Sequence, residues 1–313
     1  MSSKVRVEKY LRESVLNHVV ELEKRVWGKE GYREVNAPML YFELAYITNG
    51  LVLTAFDEGL FTPEEQAEMA REDPWYEGDK PIGFLCCFAD FDARGPFWYG
   101  ARMGVDHRYR DQDIGGSILS TLYACAIERQ IPRIRWTFDP LISKNGYMYI
   151  NKMGGLVKEI GFNYYSAVFT NDQFNRGIST DRFVLEWEIN SERVQSKMAA
   201  WGKPSADSVE VTPENTVNEI EIDELGLERH GSKFIQNAKF SPLFVEIPYA
   251  QDKILKVDRV KAQLLRDRCR ALFMHYLARG YVVTDLVLKK DPDGRRHTYY
   301  RLDQEAEWRL LKL

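Results

Sequence analysis

The fold of this chain is decided by the stretch Arg110-Asp111-Gln112-Asp113-Ile114-Gly115-Gly116-Ser117. An apolar and aromatic run before it predicts a strand over residues 97–105, and apolar residues at helical spacing after it predict a helix over about 114–128. The first amides of a helix have no acceptor inside it, and the aligned peptide dipoles leave partial positive charge there. Because glycines let an anion approach those amides closely, the stretch predicts a pyrophosphate site.

The elements around this loop follow in a recognisable order. A second strand is predicted over residues 134–138, and a short helix closes at Gly154-Gly155. The order resembles the GNAT superfamily of acyl-CoA-dependent N-acyltransferases, whose loop motif is Arg or Gln, two residues, Gly, one residue, then Gly or Ala. The features that match in order are Met103-Gly104-Val105, Arg110 to Gly116, Trp136-Thr137-Phe138-Asp139-Pro140-Leu141, Asn145 and Asn151-Lys152-Met153-Gly154.

The Trp-Thr-Phe-Asp-Pro-Leu run resembles one branch of the superfamily in particular, which is linked to N-acylamino-acid metabolism, including N-succinyl transfer to amino acids. The resemblance covers about residues 5–190, and residues 240–303 more loosely. It implies an α+β fold of mixed α/β type, with a GNAT-like central mixed sheet flanked by helices. It also implies acetyl-CoA or succinyl-CoA as the acyl donor and the amine of a small molecule, such as an amino acid, as the acceptor.

Two other functions stay open at this point. One is a GNAT-fold protein that binds a ligand or partner without acyl transfer, and the other is a GNAT-fold enzyme that hydrolyses or decarboxylates a CoA thioester. The first is favoured by Asp113, which stands where the superfamily has glycine. A carboxylate about 4 Å from a phosphate is repelled by roughly 1–4 kcal/mol, depending on the local dielectric. Alternatively, Asp113 turns away and caps the helix that begins at Ile114.

The resemblance implies a set of residues that bind the donor. Backbone amides near Met103 and Val105 would face the pantetheine and the thioester. The phosphates would lie on the loop, and the Asn145 side chain would bond the cofactor or the backbone; the alternatives are a solvated Arg110 and an Asn145 that caps a helix. The loop residues in this set are Arg110, Gly115, Gly116 and Ser117.

Acyl transfer to an amine also needs a base and an acid. Asp139, at the end of a predicted strand, is the candidate base, because burial there would raise its pKa toward neutrality; the alternative is an Asp-Pro turn that holds backbone amides. Tyr149 lies near the position of the superfamily's tyrosine acid, and the alternative for it is core packing. Arg266, Arg268 and Arg270 would neutralise an acidic acyl tail or the phosphates, or would form a solvated helix face.

Composition narrows the class of protein. A formal charge of −4 and a pI near 5.9 argue against a nucleic-acid binder, which would carry a basic surplus. The first residues contain Lys4, Arg6 and Lys9, so they predict neither a signal peptide nor a membrane span, and the protein is expected to be cytoplasmic. The four cysteines have no zinc spacing, and no metal site is predicted. Whether the chain forms a homodimer stays open.

The predicted organisation has three parts. Residues 1–190 would form the GNAT-like acyl-CoA-binding domain, with Thr62 to Asp79 as an insertion whose Trp75 and Tyr76 overhang a substrate pocket or pack on the sheet. Two strands, Tyr164 to Phe169 and Phe183 to Ile189, would end it. Residues 191–240 would be a polar linker with a short strand near Glu219 to Ile222. Residues 241–313 would form an α+β subdomain docked on the first, with strands at 243–247, 281–288 and 298–302 and a turn at Asp291-Pro292-Asp293-Gly294. A long helix there is marked by an apolar stripe of Val257, Val260, Leu264, Leu272 and Tyr276.

Overall fold

The computed structural model describes residues 4–9, 13–28, 35–165, 177–201 and 210–304. The chain divides into two compact units, 1–135 and 136–313. Each unit contains a β-sheet with helices packed against it, which confirms the predicted mixed α/β class. The predicted division at residues 190 and 240 stays a prediction.

The first unit has an antiparallel sheet. Its elements are β1 (Val5–Glu8), α1 (Leu16–Trp27), α2 (Pro38–Phe42), β2 (Leu51–Asp57), α3 (Pro63–Glu72), β3 (Gly83–Asp92), β4 (Gly95–Val105), α4 (Ile114–Glu128) and the start of β5 (Arg133–Phe138). Strands β1 to β4 pair in sequence order, and β4 then pairs in parallel with β5. At the start of α3, Thr62 and Glu65 form a reciprocal capping box.

Helices cover both faces of this sheet. Side chains alternate between the faces along a strand, so Phe84 and Cys86 of β3 join the apolar cluster under α1 and α2, together with Val19, Leu22 and Tyr41. Gly83 faces the other way, and a Cβ atom on it would lie 3.0 Å from Cδ1 of Ile118 in α4. Glycine at this position therefore leaves room for the close approach of α4 to β3.

The second unit has its own run of antiparallel strands, in the order β7-β6-β11-β12-β10, with a separate β8-β9 hairpin. Its elements are α5 (Ser143–Gly146), β6 (Leu156–Gly161), β7 (Arg182–Glu188), α6 (Glu192–Ala199), β8 (Asn218–Ile222), β9 (Glu228–Phe234), β10 (Leu243–Ile247), α7 (Gln251–Val257), α8 (Arg259–Leu277), β11 (Tyr281–Lys290) and β12 (Arg296–Gln304). The predicted strands at 243–247, 281–288 and 298–302 are confirmed.

The strand predicted at residues 164–169 is not found in the part of it that the structure describes. Residues 164 and 165 are not in a strand, and residues 166–169 lie outside the described part of the chain. The strand that pairs with β7 is β6, which contains Lys158 and Glu159 and a register shift beside them. Its polar residues hide the strand pattern, and its pairing with β7 and the distant β11 is what holds it in the sheet.

The buried face of α8 also differs from the prediction. Val257, Val260 and Leu264 are exposed by 65%, 72% and 59%, whereas Leu272 and Tyr276 are buried as predicted. The reason is a break in the helix: α7 ends at Val257, and the Asp258 side chain caps α8 by accepting a hydrogen bond from the Lys261 amide. The buried face of α8 consists of Ala262, Leu265, Arg266, Cys269, Leu272, Phe273 and Tyr276.

Residues 191–240, predicted to be a polar linker, contain α6 and the β8-β9 hairpin. The predicted short strand at 219–222 is confirmed as β8, and Asn218 within it is fully buried. Among the described residues, no helix is long and apolar enough to cross a membrane.

Candidate active site

Strand β4 carries a bulge just before the residues predicted to face the thioester. Cys86 pairs with Arg102 and Cys87 pairs with Gly100, so Ala101 is an extra residue in β4. The parallel pairs with β5 stop at Tyr99 with Arg135, and beyond them residues 100–105 pair on that side with no other described residue of the first unit. Met103 and Val105 both lie on this segment, which therefore has backbone donors and acceptors to offer a ligand.

The loop after β4 leads directly into α4, as the predicted order of strand, loop and helix requires. Asp111 and Asp113 both have positive φ, of 63° and 55°, and this tightens the turn before the helix. Ser117 donates its amide to the Asp113 carbonyl at 3.0 Å, which is the first intrahelical bond of α4. The amides of residues 114–116 therefore have no acceptor within the helix, as an anion site requires.

The side chains of Met103 and Arg110 lie beside the start of α4. Gly115 is half-buried, and a Cβ atom there would lie 3.1 Å from the terminal methyl of Met103 in β4. Arg110 is exposed, and its Nε lies 3.4 Å from the Val105 carbonyl oxygen. The structure thus brings Met103, Val105, Arg110, Gly115, Gly116 and Ser117 into one region of the first unit. Their binding role stays a prediction.

Asp113 occupies the N-cap position of α4 but does not cap it with its side chain. The predicted side-chain cap is therefore wrong. A Cβ atom on Gly116 would lie 2.5 Å from the Asp113 carboxylate, so the carboxylate stands over the first turn of the helix. The left-handed backbone explains why glycine is usual at this position in the superfamily, and Asp is one of the few other residues that adopts it readily. The same backbone places a negative charge where an anion would bind.

A buried ion pair lies behind the β4 bulge, and no sequence pattern predicts it. Glu23 of α1 is fully buried, and its Oε1 lies 2.8 Å from Nη1 of Arg102. Its Oε2 accepts hydrogen bonds from the Tyr41 hydroxyl at 2.7 Å and from the Asn36 amide at 3.0 Å. Glu23 sits at a position of α1 where helical periodicity predicts only an apolar contact or a surface charge.

The insertion between β2 and β3 packs onto the first unit. The Tyr76 hydroxyl donates to the buried Asp106 carboxylate at 2.8 Å, and burial and this carboxylate raise the pKa of Tyr76. The Arg25 guanidinium lies over Trp75, at 5.2 Å from the ring centroid. The two aromatic residues also line a cavity of about 450 Å³, together with Tyr109 and Lys80.

Asp139, the predicted base, is held by two arginines of the second unit. Arg266 binds it through two hydrogen bonds, of 2.7 and 3.1 Å, and Arg182 lies 3.6 Å away. Burial alone would raise the pKa of Asp139, but the two guanidinium groups hold it below its ordinary value. The predicted upward shift is therefore wrong. Asp139 Oδ1 also accepts the Leu141 amide at 2.9 Å, which is the Asp-Pro turn considered above as the alternative.

The other two predicted residues of this unit lie on α5 and just after it. Tyr149 is half-buried and packs edge-on against Trp136 and Phe138, at 5.1 and 5.3 Å, and burial raises its pKa to about 12. It is therefore protonated at neutral pH, as an acid must be. Asn145 lies inside α5 and not at its N-cap, which is Ile142. Asn151 instead pairs with the Leu286 backbone through both its amide oxygen and its nitrogen.

Comparison with known proteins agrees with this architecture. Residues 43–143, which contain the β4 bulge, the loop and α4, match the family model described as Acetyltransferase (GNAT) family. The predicted GNAT superfamily is confirmed for this part of the chain, and the predicted enzyme class, an acyl-CoA-dependent N-acyltransferase, is confirmed at the level of an acetyltransferase family. No curated protein matches the chain.

Several solved structures are similar to the chain. One is a chain of the NatC complex bound to Gag peptide and CoA (15% identity, TM-score 0.42), which covers 59% of this chain and 98% of its own length. A GNAT-family acetyltransferase of Streptococcus pneumoniae has 13% identity and a TM-score of 0.42 over 58% of this chain and 98% of its own. The ribosomal-protein-S18-alanine N-acetyltransferase of Escherichia coli has 13% identity and a TM-score of 0.40 over 60% of this chain and 95% of its own.

Proposed function

We propose that this protein transfers an acyl group from acyl-CoA to the amine of a small molecule. The observation that carries the proposal is the juxtaposition, within the first unit, of the open edge of β4 and the free amides at the start of α4. A strand edge binds an extended chain of amides through backbone hydrogen bonds, and a helix start binds phosphates. Pantetheine and pyrophosphate are joined in this way in a CoA thioester.

The reaction is a direct transfer. The neutral amine nitrogen attacks the thioester carbonyl carbon, a C–N bond forms and the C–S bond breaks. The nitrogen loses one proton to solvent, and the sulfur leaves as a thiol after it receives a proton. Backbone amides of residues 100–105 would polarise the carbonyl oxygen, which is the usual way to stabilise charge that develops there. Tyr149 stays the proposed acid, since it keeps its proton at neutral pH.

The identities of the acyl donor and the amine acceptor are proposed from the sequence. Acetyl-CoA or succinyl-CoA is the proposed donor and an amino acid is the proposed acceptor, because the run from Trp136 to Leu141 resembles the branch that is linked to N-acylamino-acid metabolism. Asp139 is no longer favoured as the base, because its two arginine partners favour the charged carboxylate and occupy its oxygens.

A binding protein without transferase activity is the second candidate, and Asp113 favours it. Its carboxylate stands over the first turn of α4, where it opposes a phosphate. This reading predicts that CoA thioesters bind weakly or are not consumed. Release of free thiol from acetyl-CoA or succinyl-CoA in the presence of amines separates the two functions directly.

The test of the donor site is Gly115→Glu. The new carboxylate would enter the anion site, while the Met103 methyl that it meets is the flexible end of a side chain and can move. A ligand at about 100 times its dissociation constant stabilises a protein by roughly 2.7 kcal/mol, and the variant should lose this CoA-dependent rise in melting temperature while it stays folded. The control is Ala124→Glu, which adds the same charge at an exposed position of α4. Equal stabilisation of Gly115→Glu and wild type by CoA would remove the proposed site.

A further inference from the structure

Arg102 forms an ion pair on one side. Its Nη1 lies 2.8 Å from Oε1 of the buried Glu23 and its guanidinium carbon lies 5.8 Å from the centre of the Trp27 ring, yet 31% of the Arg102 side chain is exposed. A guanidinium group carries five N–H donors in a rigid planar fork. Among the described residues, Glu23 is the acidic partner that contacts this fork, so most of its donors are left for a ligand.

Two further contacts hold the Glu23 carboxylate in place. Its Oε2 accepts hydrogen bonds from the Tyr41 hydroxyl and the Asn36 backbone amide. Because the carboxylate faces the guanidinium group from one side, the other N–H donors of Arg102 keep their capacity to bind a ligand. Glu23 is thus a positioning residue for Arg102.

Other arginines of the first unit are engaged differently. Arg133 is almost fully buried and binds Asp92 through two nitrogens, at 2.6 and 2.9 Å. Arg25 forms ion pairs with both Asp73 and Asp106, and its guanidinium group also lies over the face of the Trp75 ring. Arg102 combines a buried anchor with an exposed remainder, which is the arrangement of a preorganised anion receptor.

The position of Arg102 on β4 indicates which anion it would bind. It follows the bulged Ala101 directly and belongs to the same open segment, residues 100–105, along which the thioester is proposed to lie. We propose that Arg102 binds a carboxylate of the substrate next to the thioester, and that it selects substrates that carry one. This inference rests on the proposed function and narrows its substrate class.

The carboxylate has two chemical sources. It belongs either to the acceptor, as in an amino acid, or to the acyl group, as in a succinyl thioester. Both place an anion a few bonds from the reacting carbonyl carbon, and Arg102 would bind either through two parallel N–H···O bonds. Four substrate pairs separate the sources: acetyl-CoA or succinyl-CoA, each with an α-amino acid or with its carboxamide.

The experiment measures kcat/KM for the four pairs with wild type, Arg102→Met and Arg102→Lys. Arg102→Met should lower kcat/KM by about 10- to 100-fold for pairs with the recognised carboxylate, and by less than about 3-fold for acetyl-CoA with the carboxamide. Arg102→Lys should give an intermediate loss, because it keeps the charge beside Glu23 and loses the fork. If kcat/KM falls only for the two pairs that contain the amino acid, the carboxylate that Arg102 binds belongs to the acceptor. If it falls only for the two pairs that contain succinyl-CoA, the carboxylate belongs to the acyl group.

The control is Arg71→Met, on the exposed face of α3, where the arginine contacts only the Ala67 carbonyl of its own helix among the described residues. It should leave all four values unchanged. Binding of CoA alone is a second readout, and it should be the same in Arg102→Met and wild type. If Arg102→Met does not fold, Arg102→Lys keeps a cation beside the buried carboxylate and carries the test alone.

Two results overturn the inference. One is an equal loss for all four pairs, which would assign Arg102 to the structure of the first unit. The other is a wild-type protein that does not distinguish the carboxylate-bearing pairs from the neutral pair. If no pair is consumed, the proposed function fails, and calorimetry then decides. It compares an N-acetylamino acid with its carboxamide on the CoA-saturated protein, and succinyl-CoA with acetyl-CoA on the free protein; equal affinities within both comparisons overturn the inference.

Discussion

Replacement of Arg266 by methionine should destabilise the second unit and leave Asp139 with a single cationic partner. Arg266 and Asp139 form a bidentate pair whose side chains are 3% and 11% exposed. Removal of one partner from a buried pair costs about 3–5 kcal/mol, because the remaining charge stays buried. Arg182, at 3.6 Å, still compensates part of the charge, so we expect the lower end of this range, about 3 kcal/mol.

Urea and thermal denaturation measure this loss. A loss of about 3 kcal/mol corresponds to roughly 6–12 °C in melting temperature for a unit of this size. The matched control is Arg268→Met on the same helix, whose guanidinium lies over the Phe234 ring at 4.8 Å. It should cost only about 0.5–1 kcal/mol, as expected for a partly exposed cation–π contact.

The pH dependence follows from the lowered pKa of Asp139. A carboxyl group whose pKa is lower in the folded state contributes stability above its unfolded pKa and loses it as the pH falls through the folded value. The difference in unfolding free energy between wild type and Arg266→Met should therefore be full above the ordinary value of 3.8 and shrink below it.

A double-mutant cycle with Asp139→Asn decides whether the loss of stability in Arg266→Met comes from the broken ion pair with Asp139. The two changes should be strongly non-additive, with a coupling of about 1–3 kcal/mol. Additive effects, or a loss below about 1 kcal/mol for Arg266→Met alone, would refute the reasoning. If Asp139 is the base after all, Arg266→Met raises its pKa, and the acid limb of the kcat/KM profile moves to higher pH.

Three further substitutions test the donor site and the acid. Asp113→Asn should raise CoA affinity about tenfold, because it removes the negative charge above α4. Asp113→Gly should also raise the free energy of unfolding by about 1 kcal/mol, because glycine adopts the left-handed backbone without strain. An unchanged dissociation constant for CoA in calorimetry would show that Asp113 does not face the ligand. Tyr149→Phe keeps the ring contacts with Trp136 and Phe138 and should lower kcat by about 10²-fold or more with little change in melting temperature. Full activity of Tyr149→Phe would assign the tyrosine to packing.

Local features of the fold could be predicted because each depends on residues a few positions apart. The capping box of Thr62 and Glu65, the strand-loop-helix around Arg110 and the turn near Asp293 are of this kind. Strand β6 was missed, because polar residues interrupt its pattern and only distant strands hold it in the sheet. The face of α8 was misread, because a capping aspartate splits the helix and an arginine lies on its buried side.

The sequence by itself predicted the superfamily, since its motif lies within one short stretch, and the family match over residues 43–143 agrees. The phosphate loop and the acyl-CoA donor that the motif implies stay predictions. Tertiary structure alone decided which charged partners the candidate groups meet. Asp139 meets Arg266, 127 positions away, and Glu23 meets Arg102 behind a bulge that needs β3 to define it. The free energy of a buried charge depends on which partner packs beside it, and chain folding brings that partner from a distant part of the sequence.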